Sequence, residues 1–254
     1  MKSATSKGEF EYYENAPIIL SILQFRYKKK EKIDISNLKK KGLSISSEYP
    51  QIRERFIQQI HFEGNKPDGT TNVSLDEKEI DGVQLISKDK RKNLVIGKDR
   101  FTYEMHGKYS GWDDFTSEAK KLWEIFQDEL SGVELTGLSL RYVNRINLPL
   151  DFHDISEYFT TFIQSSTGNH TINTFQLRFT SVEPKDNITI HVGHVLEPPI
   201  EDKYPYLFDI DVIYTSPIDN EPEKIWDIFY FLRDKKNFIF NDGLSKKSKE
   251  LIRK

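Results

Sequence analysis

The sequence predicts an α+β fold: a curved antiparallel sheet with long helices on one face, arranged as two related β-α-β-β-β-α halves in the manner of a saddle or helix-grip fold. Three observations predict it. Short runs rich in Ile, Val, Phe and Tyr alternate with polar residues and are separated by polar turns. Two segments, 113–130 and 222–240, instead carry apolar residues at steps of three and four. The order strand, helix, three strands, long helix can be read twice along the chain.

In chain order, residues 1–14 are polar and read as a flexible N-terminal arm. Residues 17–27 read as a strand, with Leu23, Phe25 and Tyr27 alternating, and the lysine run 28–32 ends it. Residues 34–48 suit a short helix opened by Asp34 or Ser36. Residues 50–81 are ambiguous apart from 65–71, whose Pro, Asp and Gly content reads as a loop. A meander follows, with strands over 82–87, 93–96 and 101–106. The helix 113–130 places Phe115, Ala119, Leu122, Trp123, Phe126 and Leu130 on one side.

The second half opens with a strand over 135–148 and a helix over 151–164 bearing Ile155, Phe159 and Phe162. Strands over 174–182, 187–195 and 206–215 follow, and Pro222 opens the closing helix with Ile225, Phe229 and Leu232 in register. Residues 246–254 form a basic helical extension or tail. The openings of the halves resemble each other, Leu-Gln-Phe-Arg-Tyr at 23–27 against Leu-Ser-Leu-Arg-Tyr at 138–142. The expectation is one domain over 15–254 with pseudo-repeats 15–132 and 133–254, the two long helices burying Trp123, Phe126, Trp226 and Phe229 against the sheet.

The composition excludes several classes. The 254 residues hold no cysteine, which removes disulfides, thiolate catalysis and cysteine-ligated metal centres. The net charge of −3 gives no general attraction to nucleic acid or an anionic membrane. The start lacks the apolar core of a leader, and the longest apolar stretch falls well short of the roughly 20 residues that span a bilayer. A cytoplasmic protein is the expectation. No phosphate-binding glycine loop, nucleophile elbow or HExxH pattern occurs, and no cofactor is called for.

Alternation assigns faces, because successive side chains on a strand point to opposite sides. Opposite the apolar residues of the second-half strands fall Arg141, Arg145, Arg178, His191, Asp209 and Asp211, the candidate ligand-binding set. Arginines can grip phosphate or carboxylate with two parallel hydrogen bonds. Carboxylates with a histidine can hold a divalent cation, although no metal site is assigned here. The same residues can equally form a ladder of cross-strand ion pairs on a half-exposed sheet. His191 and His194 fall on opposite faces and cannot share a metal. The lysine clusters at 28–32, 39–41, 88–92 and 246–254 read as solvated surface or as contacts to a nucleic-acid backbone, with Tyr27 and Tyr103 near enough to stack bases, although Tyr27 reads rather as a core residue.

Asn15-Ala16-Pro17-Ile18, the 82–103 meander, Tyr109 with Trp112, and Leu-Arg-Tyr-Val-Asn-Arg-Ile at 140–146 resemble a bacterial family of about this length, distributed sporadically across genomes and without an established activity. The sporadic distribution implies a place in a defence or toxin–antitoxin-like gene pair. The leading expectation is a non-enzymatic binding or adaptor protein, acting on a protein partner or as a homodimer. A sensor of a small anionic ligand or nucleotide on the arginine-rich face is the first alternative, and nucleic-acid binding through the lysines the second.

Overall fold

A computed structural model describes residue 13 and residues 16–29, 33–58, 60–63, 72–75, 77–163 and 173–253. In chain order the elements are β1 (Ile18–Lys29), α1 (Ile35–Leu43), β2 (Gln51–Ile57), β3 (Ile60–Glu63), β4 (Asn72–Leu75), β5 (Glu79–Ile86), β6 (Lys92–Gly97), β7 (Arg100–His106) and α2 (Trp112–Phe126). Then come β8 (Val133–Pro149), β9 (Phe175–Glu183), β10 (Ile188–Leu196), β11 (Lys203–Tyr214), α3 (Pro222–Gly243) and α4 (Lys246–Arg253).

Nine strands form one sheet in the order β2-β5-β6-β7-β1-β8-β11-β10-β9, and β3 and β4 make a separate hairpin. Every neighbouring pair in the large sheet is antiparallel. The long strands β1 and β8 lie at the centre, with Leu23 opposite Leu140 and Phe25 opposite Leu138. From that pair the sheet runs outward through β7, β6 and β5 on one side and through β11, β10 and β9 on the other.

One face of the sheet is apolar. Leu23, Phe25, Phe101, Tyr103, Leu138, Leu140, Tyr142, Phe208, Ile210 and Val212 are all buried there. The long helices cover that face. Trp123 of α2 stacks on Phe25 at 4.1 Å, and Phe229 of α3 meets the same ring edge-on at 5.3 Å. Farther along α3, Phe240 stacks on Phe208 at 5.9 Å. Glycine is required where β5 meets β6, because a Cβ on Gly82 would lie 2.2 Å from the carbonyl oxygen of Ile96. Asp34 caps α1, its carboxylate accepting from the backbone N–H of Ser36 at 2.8 Å.

The ambiguous stretch 50–81 resolves into β2, β3, β4 and the start of β5. The loop 65–71 lies outside the described residues, and of the arm 1–14 only Tyr13 falls within them, buried with its ring 6.2 Å from Phe240. Over 151–163, the described part of the helix expected at 151–164, no such helix is formed. Only a single 3-10 turn, Ile155–Glu157, follows β8. Phe159 instead stacks on Tyr206 at 3.7 Å and bridges to Leu244, while the backbone of Thr160 bonds to Gly243, the last residue of α3, and that of Tyr158 to Ser245 just beyond it. Ile155 and Phe159 do share one turn, closed by the Phe159 N–H on the Ile155 carbonyl at 3.0 Å, but the turn goes no further, Phe159 is buried against β11 and Phe162 is exposed. The second half therefore departs from β-α-β-β-β-α at its first helix.

Candidate functional site: the open face of the sheet

The helices leave the opposite face of the sheet uncovered, and strand alternation places the polar set there. Registered cross-strand pairs run unbroken across it. Asn93 of β6 faces Glu104 of β7, which faces Ile22 of β1, which faces Arg141 of β8. The same row continues through Asp211 of β11 and His191 of β10 to Thr180 of β9. The adjacent row holds Val143, Asp209, Gly193 and Arg178, and the next pairs Arg145 with Leu207. All six candidate residues thus share one face within three neighbouring rows.

Most of them are already engaged. Arg141 grips Asp209 with two hydrogen bonds, Nε to Oδ1 at 2.8 Å and Nη2 to Oδ2 at 2.6 Å. The hydrogen bond to Asp209, then the charges of Asp209, Asp211 and Glu104, hold this guanidinium above its ordinary pKa against partial burial. Ser139 donates to Asp211 at 2.6 Å. Arg145 donates from Nη2 to Glu197 at 2.8 Å, while its Nε is buried without a partner among the described residues. His191 Nδ1 lies 2.8 Å from the Thr180 hydroxyl. Arg178 is exposed and makes no ion pair among the described residues.

The network continues into the first half, where the sequence reading assigned no site. Gln84 donates to Asn93 at 3.0 Å, Asn93 to Glu104 at 2.8 Å, and His106 lies 3.2 Å from the same carboxylate. Gln24 joins Thr102 at 2.9 Å and receives the Arg26 Nε at 2.9 Å. The signal was present in β7, where Thr102, Glu104 and His106 alternate with buried Phe101, Tyr103 and Met105. Glu197 was missed because it follows the last residue of β10. At one end of the face Arg26 stands directly across from Arg100, in a cleft of about 390 Å³ that also includes Gln24, Lys28 and Asp99.

Arg141 and Arg145 are thus committed to protein carboxylates as cross-strand ion pairs. No group of three or more His, Asp or Glu among the described residues is placed to hold a metal ion. The lysine clusters divide among separate elements and several are paired, Lys39 with Glu54 at 2.9 Å and Lys92 with Glu118 at 3.5 Å. Tyr27 and Tyr103 cannot stack bases. Both are buried in the core, and the Tyr27 hydroxyl donates to the carbonyls of Gly97 and Arg100. Burial there pushes the Tyr27 phenol far above its ordinary pKa. His194 lies on the covered face as expected, buried against Phe208 at 4.7 Å with Nδ1 2.8 Å from the Tyr206 hydroxyl.

No helix among the described residues is long and apolar enough to cross a membrane. No protein-family model and no curated protein matches the sequence.

Proposed function

We propose that the chain is a non-enzymatic binding protein that docks a protein partner on the open face of its nine-stranded sheet. The row from Asn93 to Thr180, which no helix among the described residues covers, carries this reading. Its charges are largely neutralised internally, and the half-buried Ile22 and Leu207 lie between the polar groups. A phosphate-rich ligand would have to break the Arg141–Asp209 fork. A mixed polar and apolar protein surface can instead extend it, since such surfaces typify non-obligate interfaces. The sporadic distribution of the family that the sequence resembles supports a partner encoded beside it, in a cytoplasmic defence or toxin–antitoxin-like gene pair.

The reading includes an internal duplication. The equivalence of Leu23 with Leu138, and of Phe25 with Leu140, is consistent with the central register. Exchanging the halves converts the pair Leu23–Leu140 into Leu138–Phe25, which is itself a registered pair. A saddle with a dyad between β1 and β8 follows from that equivalence.

Native mass spectrometry of the protein purified gently from its host tests the docking reading, with Arg178→Glu plus Thr180→Arg on the open face and Tyr230→Ser on the helix side. A partner kept by wild type and Tyr230→Ser but lost from the open-face variant is the expected result. A partner kept by all three proteins, or no partner in any of them, overturns it.

A further inference from the structure

On the covered side of the sheet, hydrogen-bond donors gather without an acceptor of matching charge. Lys236 occupies a core-facing position of α3, between Leu232 and Phe240, and is only 7% exposed. Its ammonium lies 4.0 Å from the centroid of the Tyr142 ring. One turn earlier, the Arg233 guanidinium lies 5.1 Å from the Trp112 ring centroid at the start of α2. Neither cation has a carboxylate within ion-pair distance among the described residues. Residues three apart on a helix are neighbours, so two like charges face each other here.

The neutral groups around them can each donate a hydrogen bond, and the indole N–H can do nothing else. The Trp112 indole N–H and the Ser21 hydroxyl are buried and unpartnered among the described residues. Ser21 stands directly across from Tyr142 on the β1–β8 ladder. The Tyr109 and Tyr142 hydroxyls are 3.0 Å apart. A cation–π contact offsets only part of the cost of burying an ammonium, and an apolar residue at position 236 would pack without that cost. Burial, with the Arg233 charge adding, brings the Lys236 pKa down to about 7. Buried unpaired donors beside two uncompensated cations call for an oxygen-rich anion.

We propose that this locus, between α3, the start of α2 and strand β8, binds a small oxyanion through Lys236 and Arg233, with the unpartnered Trp112 N–H completing its shell. The ligand class is a phosphate or carboxylate group. Arg233 and Tyr109 are partly exposed, and Tyr230 beside Trp112 is exposed, so the locus has a rim open to solvent. The site lies across the sheet from the docking face and does not depend on it. It is connected to that face through β8, where Arg141 and Val143 flank Tyr142 and point the other way.

Thermal unfolding of the intact protein at neutral pH, with inorganic phosphate, pyrophosphate or citrate against sodium chloride at equal ionic strength, tests the assignment. Wild type is expected to unfold at a dose-dependently higher temperature with at least one of the three anions. Arg233→Gln and Lys236→Met are each expected to weaken the apparent affinity at least tenfold, whereas Arg26→Gln leaves it unchanged. A response to phosphate and pyrophosphate assigns a phosphoryl ligand, and a response to citrate alone a carboxylate. No response to any of the three overturns the proposal. So does a response that survives Arg233→Gln, or one abolished only by Arg26→Gln, which would put the anion in the open-face cleft. If Lys236→Met does not fold, Arg233→Gln decides.

Discussion

Phe25 is the position where removing one side chain should loosen both long helices at once. The ring is fully buried on the central strand β1. It stacks on Trp123 of α2 at 4.1 Å, and meets Phe229 and Trp226 of α3 at 5.3 and 6.1 Å and Phe101 of β7 at 5.5 Å. Truncation of a buried Phe to Ala costs about 3–5 kcal/mol through lost transfer energy and the cavity left behind. Each good aromatic pair adds roughly 0.5–1.5 kcal/mol beyond area. With four ring partners, Phe25→Ala should fall near the upper end, about 4–5 kcal/mol. In a chain of this length that lowers the unfolding midpoint by roughly 8–10 °C.

Urea unfolding followed by tryptophan fluorescence and by far-ultraviolet circular dichroism measures it, because Trp123 and Trp226 report the two helices separately from the backbone signal. Phe25→Leu, which keeps most of the volume, should cost less than about 1.5 kcal/mol. The two probes should move together, since β1 and β8 join both sides of the sheet into one ladder. A loss below about 1.5 kcal/mol for Phe25→Ala would show that the ring is not the shared anchor. Separated transitions for the two probes would refute the single cooperative core.

Three further outcomes are expected. Burial holds His194 neutral with a pKa lowered to about 4 from 6.5, so the unfolded chain binds the extra proton first as pH falls. Stability from this group is complete above pH 6.5 and is lost between 6.5 and 4, up to about 3 kcal/mol. In His194→Phe that component of the acid limb should disappear, and a stability difference from wild type that stays constant across the window refutes it. Lys236→Met should stabilise the anion-free protein at pH 7 by a few kcal/mol, because the buried ammonium is disfavoured there. The advantage should shrink as pH rises from 7 towards 10.5, where the unfolded chain also loses its proton, and a pH-independent difference argues against a strained ammonium. Gly82→Ala would put a methyl against backbone, 2.2 Å from the Ile96 carbonyl oxygen and 2.7 Å from the Gly97 Cα. It should cost at least about 2 kcal/mol by parting β5 from β6, and an unchanged urea midpoint would contradict that packing.

Much of the candidate face was legible in the sequence, for a simple reason. On β8 to β11 the apolar residues alternate cleanly, so the side of the sheet taken by Arg141, Arg178, His191, Asp209 and Asp211 follows from counting in twos. The same count in β7 would have added Glu104 and His106. The false helix at 151–164 arose because Ile155 and Phe159 satisfy a helical spacing while their burial is decided by Tyr206 and by the end of α3, distant in the chain. Lys236 was passed over for a related reason. It lies in register with Leu232 and Phe240, but a lysine within a charged helix gives no local sign that it faces inward.

Sequence by itself determined the α+β class, the two long amphipathic helices, the meander of 82–106 and the division of each second-half strand into an apolar and a polar side. These are properties of periodicity, which each segment carries in its own side chains. Tertiary structure alone decided which polar groups meet. Arg141 is paired with Asp209 and Arg145 with Glu197, 68 and 52 residues away, and Arg178 makes no ion pair among the described residues. Such pairings depend on strand order and register, which are properties of the whole sheet and are absent from any one strand. The donors around Lys236 come from β1, β8, α2 and α3 and from the loop before α2, and only packing those helices onto that sheet brings them together.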